Sequence, residues 1–193
     1  MIFYISIKRD LIKTILCIVF FLFLPISSFA SQFEVMKVYD GDTIKVKGYG
    51  AEIKLRLAGI DAPETFKKKI GLGQRYSQEA SEHLARLILN KDIEIDGYGY
   101  LKGDLMLGVI FLDGKNINLE MVRAGLAEVN RGESPKDLNL DPFFKAERQS
   151  RAEKKGVWIQ GDNYVSPKTW RERQRLKSTC AIILFGICEQ GEK

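Results

Sequence analysis

Residues 33–57 read FEVMKVYDGDTIKVKGYGAEIKLRL. Phe33 to Tyr39 and Thr43 to Lys47 alternate roughly in period two, and Asp40-Gly41-Asp42 between them is a tight-turn signal. Ile53, Leu55 and Leu57 then alternate with Lys54, Arg56 and Ala58, which sets Arg56 on the face opposite the three aliphatics. Three short strands in succession, joined by turns, predict an antiparallel meander at the start of the fold.

The rest of the chain extends this pattern. Asp92 to Tyr100 is a fourth strand, with Ile93 and Ile95 in period two, and Leu105 to Leu112 is a fifth. The nearly unbroken apolar run of the fifth predicts burial on both faces. Tyr76, Ala80, Leu84, Leu87 and Ile88 recur at helical spacing, and Asn90 suits a stop. Ile117 to Arg123 is a second helix, ended by Gly125. A third opens at Asp141-Pro142, with Asp141 as cap and proline at the first helical position, and runs through Ala152 to Gly156-Val157-Trp158. A short basic helix with Trp170 follows from Ser166 to Lys177. The order β-β-β-α-β-β-α-α predicts an α+β fold, mainly β: a five-stranded OB-fold barrel with three packed helices. Barrel closure would hide edges that such apolar strands otherwise expose.

The chain has 193 residues, 45% of them apolar and 28% charged, enough for one domain with tails and a buried core. A net charge of +5 permits a polyanionic partner without establishing one. Residues 1–30 look like an address. Lys8, Arg9 and Lys13 precede an apolar run from Ile15 to Leu24, then Ser28-Phe29-Ala30 offers the small residues of a cleavage site. The expectation is a cleaved signal peptide, export to the periplasm or medium, and a mature net charge of +3. An uncleaved N-terminal anchor is the rival. Residues 32–160 form the expected barrel domain, and 161–193 a basic helical and apolar tail. Cys180 and Cys188 either pair in the oxidising compartment or sit as two apolar thiols; on one continuous helix they would be too far apart to bond. The tail's apolar stretch is too short to span a bilayer, which leaves docking on the barrel, a partner or a membrane surface open. A monomer without a stable protein partner is expected.

Four carboxylates gather in two turns: Asp40 and Asp42 in the first hairpin, Asp61 and Glu64 after the third strand. In a meander these turns lie at the same end of the sheet, so Asp42, Asp61 and Glu64 can meet beside Arg56. Two carboxylates with carbonyls and waters make a hard-oxygen site suited to Ca²⁺. Magnesium, with its stricter octahedron, stays open as the alternative. The one histidine, His83, lies on the inserted helix and is read as structural, and no Cys/His metal pattern occurs.

Four spaced segments carry a resemblance to a known family. They are Val38-Tyr39-Asp40-Gly41-Asp42-Thr43, then Leu55-Arg56-Leu57-Ala58-Gly59-Ile60-Asp61-Ala62-Pro63-Glu64-Thr65, then Asp113-Gly114-Lys115-Asn116-Ile117-Asn118, and finally Val122-Arg123-Ala124-Gly125-Leu126-Ala127. In that order they resemble the staphylococcal nuclease family across roughly residues 32–159. The resemblance implies a calcium-dependent nuclease acting on DNA, RNA or both. It implies that Asp42, Asp61 and the Ala62 carbonyl hold calcium, with Asp40 behind them. It implies further that Glu64 activates the attacking water and Arg56 binds phosphate. Phosphoryl transfer needs such positioning and charge neutralisation, and a guanidinium meets two phosphate oxygens at once. Lys67, Lys68 and Lys69 resemble the family's lysine-bearing loop, a contact to the polyanion through charge.

The chain also departs from the family. The second catalytic arginine of the family sits in an Asp-x-Tyr-Gly-Arg segment, but here Asp96-Gly97-Tyr98-Gly99-Tyr100 ends in tyrosine. Counting back from Asp113-Gly114 puts Leu105 in the arginine position. Lys102 and Arg131 are the candidate replacements, and Tyr98 and Tyr100 candidate stacking surfaces for substrate. One missing oxyanion donor costs about 10²–10³ in rate. A slow nuclease is therefore one expectation, and a nucleic-acid-binding OB domain without turnover the other.

Overall fold

The computed structural model describes residues 32–65, 73–101 and 103–185, with side chains to residue 177. The leader, Lys67 to Lys69, Lys102 and Cys188 lie outside the described residues, as does the Cys180 side chain. The first hairpin is β1 (Gln32–Asp40) and β2 (Thr43–Gly48), followed by β3 (Ala51–Leu57) and the two-residue β4 (Ile60–Asp61). Helix α1 (Ser77–Ile88) leads to β5 (Asp92–Tyr100), β6 (Leu105–Leu112) and the short β7 (Lys115–Asn116). Then come α2 (Ile117–Arg123), β8 (Glu128–Val129), α3 (Asp141–Ala152), a 3₁₀ segment (Gly156–Asn163) and α4 (Pro167–Phe185).

The strands pair in the order β3-β2-β1-β5-β6-β7, and β3 pairs again with β6. That second pairing is parallel, from Lys54 opposite Leu105 to Leu57 opposite Gly108, and it closes β1, β2, β3, β5 and β6 into the expected OB-type barrel. Its interior is filled by Val35, Ile44, Val46, Leu55, Leu57, Ile93 and Ile110, all fully buried or nearly so. Helix α1 lays Ala80, Leu84 and Ile88 onto the barrel at i, i+4 and i+8. It stops where Asn90 turns left-handed (φ 58°) and its N–H donates to the Val35 carbonyl at 2.9 Å.

Three expectations change. Only the centre of β6, Gly108 to Ile110, is buried, where Asn118 of α2 bonds the strand, and its ends stay half-buried. Helix α3 is capped by Leu140 rather than Asp141, whose N–H is taken by Asn139 Oδ1 at 3.0 Å. The C-terminal helix α4 is 19 residues long, since the apolar stretch through Phe185 continues it. Among the described residues no helix is long and apolar enough to cross a membrane.

Asn118 pins the closure. It is fully buried, accepts from the Ile110 N–H (3.1 Å) and donates to the carbonyls of Ala58 (2.9 Å) and Gly108 (3.1 Å). Gly108 O keeps the Ala58 N–H as partner when the amide is removed, but Ile110 N–H and Ala58 O are orphaned. Asn118→Ala is therefore expected to destabilise the fold by about 3 kcal/mol, read as a lower urea midpoint at unchanged slope.

Candidate active site

The β1–β2 turn is drawn against the loop after β4 by a close approach. A Cβ on Gly41 would lie 2.7 Å from Ala62 Cβ and 2.8 Å from Ala80 Cβ, so only glycine lets the turn sit there. Leu57 N–H donates to the Asp42 carbonyl at 2.8 Å, which fixes the turn to the end of β3. The Asp42 side chain then reaches the second loop: its Oδ2 accepts from Ala62 N–H at 3.1 Å, while Oδ1 accepts from Thr43 Oγ1 at 2.9 Å. Asp40 stands behind, its Oδ1 accepting from Asp42 N–H at 3.2 Å.

One nitrogen of Arg56 links the two loops. It donates to Asp42 Oδ2 at 2.8 Å and to Asp61 Oδ1 at 3.0 Å. Asp42, Asp61 and Glu64 are all buried, at 3%, 2% and 9% exposure. Burial pushes the Asp42 carboxyl up to about 8; Arg56 opposes this, Asp40 and Asp61 add to it, and the Ala62 N–H opposes it again. A buried carboxylate crowded by two others, with a single guanidinium against it, calls for more positive charge.

Glu64 is held by its backbone. Its N–H donates to Gln74 Oε1 at 3.3 Å, and its carbonyl accepts from Gln74 N–H at 2.8 Å. The same glutamine donates through Nε2 to the Val165 carbonyl just before α4. The far wall is built by β8, where Glu128 pairs with Asp61 across the two-stranded ladder. Tyr164 donates to Glu128 Oε2 at 2.8 Å.

The candidate residues thus divide. Asp40, Asp42, Arg56, Asp61, Ala62 and Glu64 come together from two loops. Leu105 lies beside Arg56 in a cavity of about 310 Å³ that Tyr39, Asp40 and Thr65 also line, so the barrel hairpin brings an aliphatic side chain there. Tyr98 is half-buried and Tyr100 exposed on β5, and neither lines that cavity. Arg131 lines a cavity with Asp61 and Glu128, and it binds Glu147 with both terminal nitrogens, donates to the Val129 carbonyl and lies over Phe144. Buried Glu147, which also accepts from Val129 N–H at 2.9 Å, holds it on the α3 side.

One residue at the centre carries no sequence signal. Arg171 of α4 donates to Asp61 through both terminal nitrogens, Nη1 to Oδ1 at 2.9 Å and Nη2 to Oδ2 at 2.7 Å, and through Nη1 to Glu64 Oε1 at 2.8 Å. It sits among Lys168, Arg173, Arg175 and Lys177, a run that reads simply as a basic helix.

A divalent cation fits the donor set as two carboxylates, Asp42 and Asp61, with the Ala62 carbonyl and solvent or substrate oxygens. Among the described residues no three His, Cys, Asp or Glu side chains gather as an all-side-chain metal centre. The chemistry available is cation binding, phosphate binding by guanidinium, and proton abstraction by a carboxylate.

Comparison with known proteins agrees with this chemistry. The family described as "Staphylococcal nuclease homologue" matches residues 54–160. A Haemophilus influenzae protein named "Uncharacterized endonuclease" is 30% identical over 172 residues, 88% of this chain and 89% of that protein. One of the same name from Escherichia coli O157:H7 is 34% identical over 142 residues, 72% of this chain and 84% of that one. A Shigella flexneri protein named "Micrococcal nuclease" is 31% identical over 152 residues, 74% and 81% of the two chains.

Proposed function

This chain belongs to the staphylococcal nuclease family and is a nuclease, and from that premise we propose that it is an exported, monomeric, calcium-dependent enzyme hydrolysing phosphodiester bonds of DNA, RNA or both. The observation that carries the reading is the convergence of Asp42 and Asp61 on Arg56 from two separate loops, with Glu64 joined to Asp61 through Arg171.

Each residue has a task in keeping with its setting. Asp42, Asp61 and the Ala62 carbonyl would hold a calcium ion, which would supply Lewis-acid polarisation of the phosphate. Glu64 takes the proton of a water as its oxygen attacks phosphorus, with the Gln74 bracket holding the loop still. Arg56 neutralises charge growing on the non-bridging oxygens, where a preorganised donor has its largest effect. As the P–O bond to the leaving oxygen breaks, that oxygen takes a proton from solvent. With Leu105 beside Arg56, the barrel itself supplies one guanidinium, and the rate it supports alone is about 10²–10³ below that of a site with two.

The test is metal removal. The chain from Ser31 onward should cut single-stranded DNA or RNA with calcium present and leave it whole in chelator. Equal cutting in both conditions would remove the metal from the account. Binding without cutting in either would make the chain a nucleic-acid binder.

A further inference from the structure

Helix α4 lies beyond the matched family region, yet its first turns are built into the carboxylate cluster. Ser166 caps it, Oγ accepting from Thr169 N–H at 3.1 Å, and buried Pro167 opens it. The segment before it is fixed twice, by Gln74 at the Val165 carbonyl and by the Tyr164 hydroxyl on Glu128. Pro167, Trp170, Arg171 and Gln174 form its more buried face, at i, i+3, i+4 and i+7. Gln74 thus ties together the backbone of Glu64 and the entry to the helix that brings Arg171 to Glu64.

Charge sets what this arginine can do. With Asp42 ionised, as cation binding requires, Asp40, Asp42, Asp61 and Glu64 contribute four negative charges, and Arg56 and Arg171 two positive ones. A dication brings the centre to neutrality only if both guanidiniums remain. With Arg56 alone the loaded site would still be anionic and would repel a phosphodiester. The two-pronged grip of Arg171 on Asp61 is also the geometry with which a guanidinium takes two phosphate oxygens. The approach is basic: Lys168 and Arg173 of α4 line a cavity of about 400 Å³ that opens on Asp61.

Resting on the nuclease reading above, we propose that Arg171 is the second guanidinium of the reaction centre, placed by the C-terminal helix on Asp61 and Glu64, where a scissile phosphate would meet it. The C-terminal helix is then part of the catalytic apparatus.

Wild type, Arg171→Ala, Arg171→Lys and Glu64→Gln are to be compared in oligonucleotide cleavage with calcium. Calcium affinity without nucleic acid is measured by calorimetry on the same samples. Arg171→Ala should lower kcat by roughly 10²–10³-fold and bind calcium at least as tightly as wild type, because a competing cation has left Asp61. Arg171→Lys should recover only part of the rate, having charge without the fork, and serves as the folded control should the alanine variant melt. Wild-type or faster cleavage by Arg171→Ala would overturn the inference, making the arginine a packing contact or a plug; so would weakened calcium binding. If wild type and Glu64→Gln are equally inactive, the nuclease reading fails and takes this inference with it, a result distinct from the loss of Arg171 alone.

Discussion

Glu64→Gln is expected to lower cleavage by about 10²–10⁴-fold, the usual contribution of a positioned general base, while leaving nucleic-acid affinity within about threefold of wild type. The change is nearly isosteric. The bonds that hold the loop run between the Glu64 backbone and Gln74 and survive it. What disappears is the proposed proton acceptor and the ionic contact to Arg171. Single-turnover cleavage and filter binding of one labelled strand separate the two quantities. Cleavage at the wild-type rate would mean that another group takes the proton.

Arg56→Ala should act on the rate and on stability together. The rate falls by about 10²–10³-fold through loss of charge neutralisation at the phosphate. Without calcium the protein also loses about 3 kcal/mol, because Asp42 is left buried without its guanidinium while Asp61 keeps Arg171. A calcium ion held there would restore positive charge, so the rise in Tm on adding calcium should be larger in the variant than in wild type. An equal rise in both would mean that Arg56 and the cation do not share Asp42 and Asp61. Arg56→Lys should keep much of the stability and little of the rate, since an ammonium has charge without the planar fork.

The elements that carry these residues were legible wherever the signal is local. Asp92–Tyr100, Leu105–Leu112 and Ile117–Arg123 fall where periodicity and turn residues place them. The two carboxylate turns are equally readable, since a meander must bring the first turn and the end of the third strand to one end of a sheet. Gly41 shows why that nearness becomes contact. The two-residue strands β4, β7 and β8 were not legible: two residues have no period, and only β8 pairing with β4 reveals that Glu128 faces Asp61. Arg171 was hidden for a related reason. It meets Asp61 across 110 residues, from a helix whose other basic side chains look the same in sequence. Arg131 shows what sequence leaves out: it lines the cavity that opens on Asp61, but a buried glutamate also engages it.

The same distinction separates the two readings of the chain. A binder needs basic surface, which α4 provides, but has no chemical use for a buried acidic cluster bridged by guanidiniums. Buried, crowded carboxylates cost stability unless a cation meets them. Such a cluster at the junction of two loops is what a phosphodiesterase requires.

The claim beneath all of this is that Glu64 and Arg56 act at one phosphate. Cleavage rates of wild type, Glu64→Gln, Arg56→Ala and the double variant, taken with calcium on one oligonucleotide, test it most directly. Residues that work as a unit lose function together, so the double variant should be within about tenfold of the slower single one. Losses that multiply in full would place the two side chains at independent sites and contradict the account.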